Sequence, residues 1–210
     1  MSLLPLALGI MAGGHSTRMG QDKALLNDGR GPILERLAHM GLRLPLPVMI
    51  VGRRQPMDWP LPTVEFLNDA QPNQGPLGGL VTALNHADKV ICVACDYPGL
   101  EIEALSWLRD QSRQQTHGLV VSHPAGIEPL FSVYTQSCRS EAQRRLIAGE
   151  RALHRLIAAC EIPHIAAPAW VIAQLQNINT PAEWEQFQQQ QHQKSAKVPI
   201  NGLADVIKPP

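Results

Sequence analysis

Residue types that handle phosphate are concentrated near the start of the chain. Residues 9–26 read GIMAGGHSTRMGQDKALL: an apolar run ends at Met11, Gly13 and Gly14 follow at once, and Arg18 and Lys23 come within the next nine residues. Glycines just after a strand let backbone N–H groups approach a phosphate closely, and consecutive N–H groups form an anion-binding nest. Arg18 would add a planar fork of donors and Lys23 a point charge, an assembly that neutralises a polyphosphate. The order is not that of a Walker A loop, where Lys-Ser/Thr follows the last glycine directly. Gly13, Gly14 and Gly20 also miss the Gly-x-Gly-x-x-Gly dinucleotide spacing. A glycine turn with two solvated cations accounts for the same residues, so the loop alone leaves both readings open.

Asp96 is the second candidate. It follows the apolar stretch Val90–Cys95, which reads as a buried parallel strand. In open parallel sheets ligands bind beyond the carboxyl ends of strands, so Asp96 and the glycine loop can meet across one crevice. A carboxylate there suits Mg²⁺, which commonly takes one or two carboxylates plus phosphate oxygens. A turn Asp before Pro98 is the alternative. Cys92 and Cys95 have a spacing used for zinc and redox chemistry, but residues three apart on a strand face opposite ways. With Cys138 and Cys160 they read as inert core thiols in a reducing compartment.

The loop MAGG-x-S-x-RMG-x-DK, Met11 to Lys23, resembles the signature of the nucleotidyltransferases that build nucleotide sugars and molybdenum-cofactor dinucleotides. Four further segments occur in matching order: Gly75-Pro-Leu-Gly-Gly79, Cys95-Asp-Tyr-Pro98, Glu128-Pro-Leu-Phe-Ser-Val-Tyr134 and Asn177-Ile-Asn-Thr-Pro181. The ordered set, spanning about residues 6 to 187, is similar to the molybdenum cofactor guanylyltransferases. The resemblance implies a three-layer, Rossmann-like nucleotidyltransferase fold with a mostly parallel sheet. It also implies transfer of GMP from GTP to the terminal phosphate of molybdopterin or its molybdenum form, releasing pyrophosphate. Arg18, Lys23 and Asp96 would be catalytic, Asp96 would bind Mg²⁺, and Met11, Ala12, Gly13, Gly14, Lys23, Asp69, Pro76, Leu77 and Asp96 would surround the nucleotide. Asn68 competes with Asp69 for its contact. Asn177 and Asn179, alternating on an extended segment, would lie on the pterin side. The double glycine and the Gly75-Pro-Leu77 loop favour GTP over CTP within this resemblance. Partners would include molybdenum-cofactor biosynthesis proteins and acceptor molybdoenzymes. One departure is the lack of an Asn at the end of the second strand, where the chain reads Ile50-Val-Gly-Arg-Arg54. A backbone group or Arg53 would have to substitute. The alternatives are a cytidylyltransferase for the same pterin, a sugar-1-phosphate nucleotidyltransferase, and a non-catalytic GTP-binding module that delivers cofactor.

The elements that must position these residues are legible as runs. Leu6–Met11, Val48–Val51, Val90–Cys95 and Leu119–Val121 are apolar without alternation, as parallel strands covered on both faces are. Helical spacing fits Pro32–Arg43, Leu77–Ala87, Ile102–Gln114, Ser137–Ala148 and Ala152–Cys160, and Glu128–Tyr134 is a further strand. Alternation of this kind argues for an α/β sheet with right-handed crossovers. Thr180-Pro-Ala-Glu183 is a helix start that should carry Trp184 and Phe187 inward. Arg139, Arg144, Arg145, Arg151 and Arg155 crowd one stretch, either as a solvated face or as an attractor for an anionic pterin or its carrier.

Composition bounds the rest. The 210 residues suit one domain, expected over 1–191 with a polar tail over 192–210 that is mobile or a linker. Lys+Arg and Asp+Glu both total 18, so net charge gives no sign of a nucleic-acid binder. Leu3 to Gly14 lacks the positive lead of a signal peptide, and no run reaches the ~20 apolar residues of a membrane span. The expectation is a cytoplasmic enzyme.

Overall fold

The computed structural model describes residues 3–13, 22–68, 74–113 and 115–196. Seven strands form one sheet: β1 (Ala7–Met11), β2 (Val48–Val51), β3 (Glu65–Leu67), β4 (Lys89–Ala94), β5 (Leu119–His123), β6 (Gly126–Thr135) and β7 (His164–Ala166). Their spatial order is β3-β2-β1-β4-β6-β5-β7. β1 pairs in parallel with β2 and β4, β2 with β3, and β5 with β7, while β6 runs antiparallel to both neighbours. The expected mostly parallel α/β sheet is therefore what forms.

Helices cover both faces. On one, Leu8 and Ile10 of β1 and Ile91 and Val93 of β4 pack with α1 (Ile33–Arg43), α3 (Ile102–Ser112), α6 (Ala169–Ile172) and Phe187 of α7 (Pro181–Ala196). On the other, Ala7, Met11, Val90 and Cys92 pack with α2 (Gly75–Leu84), α4 (Arg139–Ile147) and α5 (Leu153–Ala159). Strands buried on both sides need no alternation of apolar and polar residues, which is why β1, β2 and β4 read as unbroken apolar runs. Each fully buried Leu or Ile contributes about 1.5–3 kcal/mol, so this double core dominates the stability.

β6 is the exception to the parallel pattern, and its cause is local. His123 pairs with Gly126 across a two-residue turn, and a connection that short permits only antiparallel pairing. Pro129 inside β6 cannot donate to a ladder, and the β5–β6 register shifts between Leu119 and Val121. The fully buried Ser132 accepts from Val121 N at 3.1 Å and donates to Glu128 O at 2.6 Å, closing the gap left by the bulge.

Several boundaries differ from expectation. α2 starts at Gly75 rather than Leu77 and ends at Leu84 rather than Ala87, so the Gly75–Gly79 segment is the first turn of a helix, not a loop. α7 continues through the glutamine run to Ala196, past the expected tail boundary at 192, because glutamine is a good helix former. Its start is a reciprocal capping box: Glu183 N donates to Thr180 Oγ1, while Glu183 Oε2 accepts from Asn179 N and Thr180 N at 2.6 and 2.9 Å. Phe187 is buried and Trp184 stacks on it at 5.7 Å. β3, β7 and α6 were not anticipated.

Candidate active site at the β1–β4 switch point

Sheet order reverses between β1 and β4, and their registers end together, Met11 opposite Ala94. Beyond that level Ala12 N still donates to Val51 O and Cys95 N to Met11 O, so the sheet holds both strand ends. Gly13 and Asp96 are the next residues of the two segments, leaving adjacent strand ends toward the crevice where open α/β sheets bind ligands. α2 approaches the same rim. A Cβ at Gly79 would meet Met11 Sδ at 3.0 Å and Val51 Cγ1 at 3.5 Å, which places the first turns of α2 against the ends of β1 and β2. Gly75 takes φ +64° to enter the helix, a conformation that favours glycine. With no acidic residue in its first turn, α2 offers N–H groups and a positive dipole end.

This geometry restricts what the expected nucleotide contacts can be. Met11 and Leu77 have buried side chains in the α2-side core, so any contact they make is through the backbone. Pro76 is exposed and Ala12 is buried. Gly14, Arg18 and Asp69 lie outside the described residues.

Lys23 opens a short 3₁₀ turn, Lys23–Leu25, capped by Asp22 Oδ1 accepting from Ala24 N at 3.1 Å. The other Asp22 oxygen pairs with Arg53, which gives that residue at the end of β2 a definite partner. Lys23 Nζ donates to Asn179 Oδ1 at 2.7 Å, joining segments 156 residues apart in sequence. Between Asn177 and Asn179, Ile178 is buried and donates its N–H to the Asp96 carbonyl at 3.2 Å. The two asparagines thus flank a core anchor, and Asn179 reaches the lysine.

Asp96 carries the unusual electrostatics. Burial pushes its carboxyl above the usual range; the nearby Lys23 charge opposes that and Glu128 adds to it. Its Oδ1 is buried and has no hydrogen-bond partner. Buried polar atoms are nearly always satisfied, so a carboxylate oxygen left this way has the chemistry of a cation ligand. Among the described residues no group of three or more His, Cys, Asp or Glu could hold a metal.

Sequence reasoning missed the support beneath Asp96. The buried Tyr97 donates its hydroxyl to Glu128 Oε2 at 2.8 Å, and His123 Nε2 lies 3.0 Å from Glu128 Oε1. The available signal was the Glu128-Pro-Leu segment, whose first residue follows the tight β5–β6 turn. The four cysteines are free; Cys92 is buried, and burial raises the Cys95 thiol to about 12, consistent with inert core thiols. In the arginine stretch, Arg144 pairs with Glu141, Arg145 bridges Glu141 and Glu150, Arg155 pairs with Glu150, and Arg139 donates to Asn85. Arg151 differs: its backbone and Cβ lie beside Gly75 at the start of α2.

A sheet with its glycine-bearing strand end, helix start and carboxylate at the switch point defines a nucleotide-handling α/β enzyme, and the comparisons give its class as a nucleotidyltransferase. Residues 8–165 match the MobA-like NTP transferase domain. The chain belongs to that family. A protein of Deinococcus radiodurans named "Probable molybdenum cofactor guanylyltransferase" is 35% identical over 185 residues, covering 86% of this chain and 93% of its own. One of the same name from Opitutus terrae is 32% identical over 161 residues, covering 73% and 78%. The crystal structure of molybdopterin-guanine dinucleotide biosynthesis protein A from Archaeoglobus fulgidus superposes with TM-score 0.72 at 21% identity, covering 89% of this chain and 99% of that one. The fold extends to 2-C-methyl-D-erythritol 4-phosphate cytidylyltransferase from Thermus thermophilus, TM-score 0.61 at 12% identity, covering 88% and 98%. No helix among the described residues is long and apolar enough to cross a membrane.

Proposed function

We propose that this nucleotidyltransferase transfers GMP from GTP to the terminal phosphate of molybdopterin or its molybdenum form. A phosphate oxygen of the pterin attacks the α-phosphorus of GTP. The bond from that phosphorus to the α,β-bridging oxygen breaks, and pyrophosphate leaves with the electron pair. The nucleophile is already anionic near neutral pH, so the site needs no strong general base. Positioning and charge neutralisation then supply the catalysis.

The observation that carries this reading is the buried Asp96 Oδ1 without a hydrogen-bond partner, set beside Lys23 at the switch point. Asp96 would hold Mg²⁺, which supplies charge neutralisation and orientation of phosphate oxygens when bound. Lys23 offsets triphosphate charge, with Arg18 from the glycine loop as a second cation. Backbone N–H groups near Gly13 and at the start of α2 receive phosphate oxygens. Asn179 orients the lysine, and Asn177 and Asn179 face the acceptor. Cytoplasmic cofactor assembly with a carrier or acceptor molybdoenzyme follows from the same reading.

The test is pyrophosphate release with molybdopterin, Mg²⁺ and either GTP or CTP. Release that requires both GTP and the pterin is the expected result. A preference for CTP would replace the base assignment, and GTP binding without release would point to a delivery module.

A further inference from the structure

The segment between Lys23 and α1 holds a polar cluster that the proposed chemistry does not use. Asn27 Oδ1 accepts from Gly29 N at 2.8 Å and Gly31 N at 3.0 Å, which folds the turn back on itself. At its centre the Asp28 side chain is fully buried. Its Oδ2 accepts from Arg30 Nη2 at 2.6 Å and Nε at 2.9 Å, and its Oδ1 from Arg36 Nη1 at 3.0 Å. Both guanidinium groups then reach past the carboxylate to one acceptor: Arg36 Nη2 donates to Pro98 O at 2.6 Å and Arg30 Nη2 at 3.1 Å. Arg30 Nη1 continues to Glu101 Oε1 at 2.8 Å, at the start of α3.

Pro98 lies two residues beyond Asp96. We propose that Asp28 is a positioning residue that holds Arg30 and Arg36 on the Pro98 carbonyl and thereby fixes the turn bearing Asp96 against the segment bearing Lys23. The proposal rests on reading Asp96 as a cation ligand. Its physical basis is independent. Charge-assisted bonds are the strong hydrogen bonds, and planar guanidinium forks fix direction as well as distance. Two arginines aimed at one carbonyl would repel each other without the shared carboxylate between them. The other bonds to this turn come from different elements: Ile178 N donates to Asp96 O, Glu101 N donates to Gln174 Oε1, and Tyr97 is tied to Glu128, so the two guanidinium groups are its link to the segment that follows Lys23. Small misplacement of a catalytic group costs much rate, about 10²-fold for 1 Å, so a turn carrying a metal ligand gains from such a clamp.

The experiment compares Asp28→Asn, Arg30→Gln and, as a control, Lys89→Ala, which removes bonds to Ser112 O and Gln115 O at the opposite end of β4. Two quantities are read: amide hydrogen exchange over residues 96–101, and the Mg²⁺ concentration for half-maximal pyrophosphate release. Asp28→Asn should speed exchange in that turn about tenfold and raise the Mg²⁺ requirement by a similar factor, with a smaller change for Arg30→Gln. Lys89→Ala should lower thermal stability without moving either quantity. Unchanged exchange at 96–101 in Asp28→Asn, equal change in the Lys89→Ala control, or an unmoved Mg²⁺ requirement would overturn the proposal. If the unaltered protein shows no Mg²⁺-dependent release, the functional reading fails and exchange alone decides the clamp. Should Asp28→Asn fail to fold, the more exposed Arg30→Gln carries the same test.

Discussion

Asp28 and Asp96 are buried carboxylates connected through one short turn, and their surroundings differ in every respect that matters. Burial alone would raise Asp28, but the Arg30 hydrogen bond and the charges of Arg36 and Arg30 outweigh it and hold the carboxyl below its usual range. At Asp96 burial wins: the Lys23 charge only partly offsets it, Glu128 works with it, and one oxygen has no partner. A carboxylate saturated by two arginines is a structural tie. A carboxylate kept costly in the free protein is suited to bind something that removes the cost. The fold places the first where it steadies the second.

The sharpest way to break this contrast is to neutralise each carboxylate in turn. Asp96→Asn should lower pyrophosphate release by about 10²–10³, the scale of losing one preorganised charge. It should leave thermal stability equal or higher, because it removes a buried charge. Lys23→Ala should cost about 10² in turnover, most of it in kcat, read by steady-state kinetics with GTP and pterin varied separately. Asp28→Asn should spare turnover at saturating Mg²⁺ while raising the Mg²⁺ requirement, and should cost about 3 kcal/mol of stability at neutral pH in urea melts, since it strips two partly buried arginines of their counter-charge.

The pH dependence of those melts sharpens the comparison because the signs oppose. Asp28 is lowered in the folded protein from 3.8, so its stabilisation is full above that value and is lost as pH falls through the folded one. Asp96 is raised from 3.8, so the folded state gains stability as pH falls through its raised value. Melts between about pH 3 and pH 7 should therefore show the Asp28→Asn deficit closing in acid. Any stability advantage of Asp96→Asn should also close there. The smallest effect belongs to the arginine stretch. Arg144→Ala should move Tm by about a degree or less and leave the kinetics unchanged, because its exposed pair with Glu141 is solvated. Arg151, beside Gly75, is the member of that stretch whose replacement should raise a substrate KM.

The same two residues show what was legible in the sequence. Asp96 stands out as a candidate because it follows an unbroken apolar run, and strand ends locate ligands in this sheet type. Asp28 could not: Asn27-Asp28-Gly29 has the composition of an ordinary exposed turn, and its carboxylate is enclosed by Arg30 and by Arg36, one helix turn into α1, whose guanidinium groups also reach Pro98 O. The strands β1, β2 and β4 were readable since both their faces are covered. β3 and β7 have three residues each and α6 has four, too short to show a period. The antiparallel sense of β6 was present in the two-residue gap after His123. The Lys23–Asn179 bond links two segments that were each picked out, but only the fold brings them together.

The most direct measurement is a ¹³C NMR titration of the Asp96 carboxyl, with and without Mg²⁺ and GTP. The account predicts an ionisation above 3.8 in the free protein that falls below it once both are bound. An Asp96 that titrates at or below 3.8 in the free protein, or does not respond to Mg²⁺ and GTP, would contradict its assignment as the cation ligand.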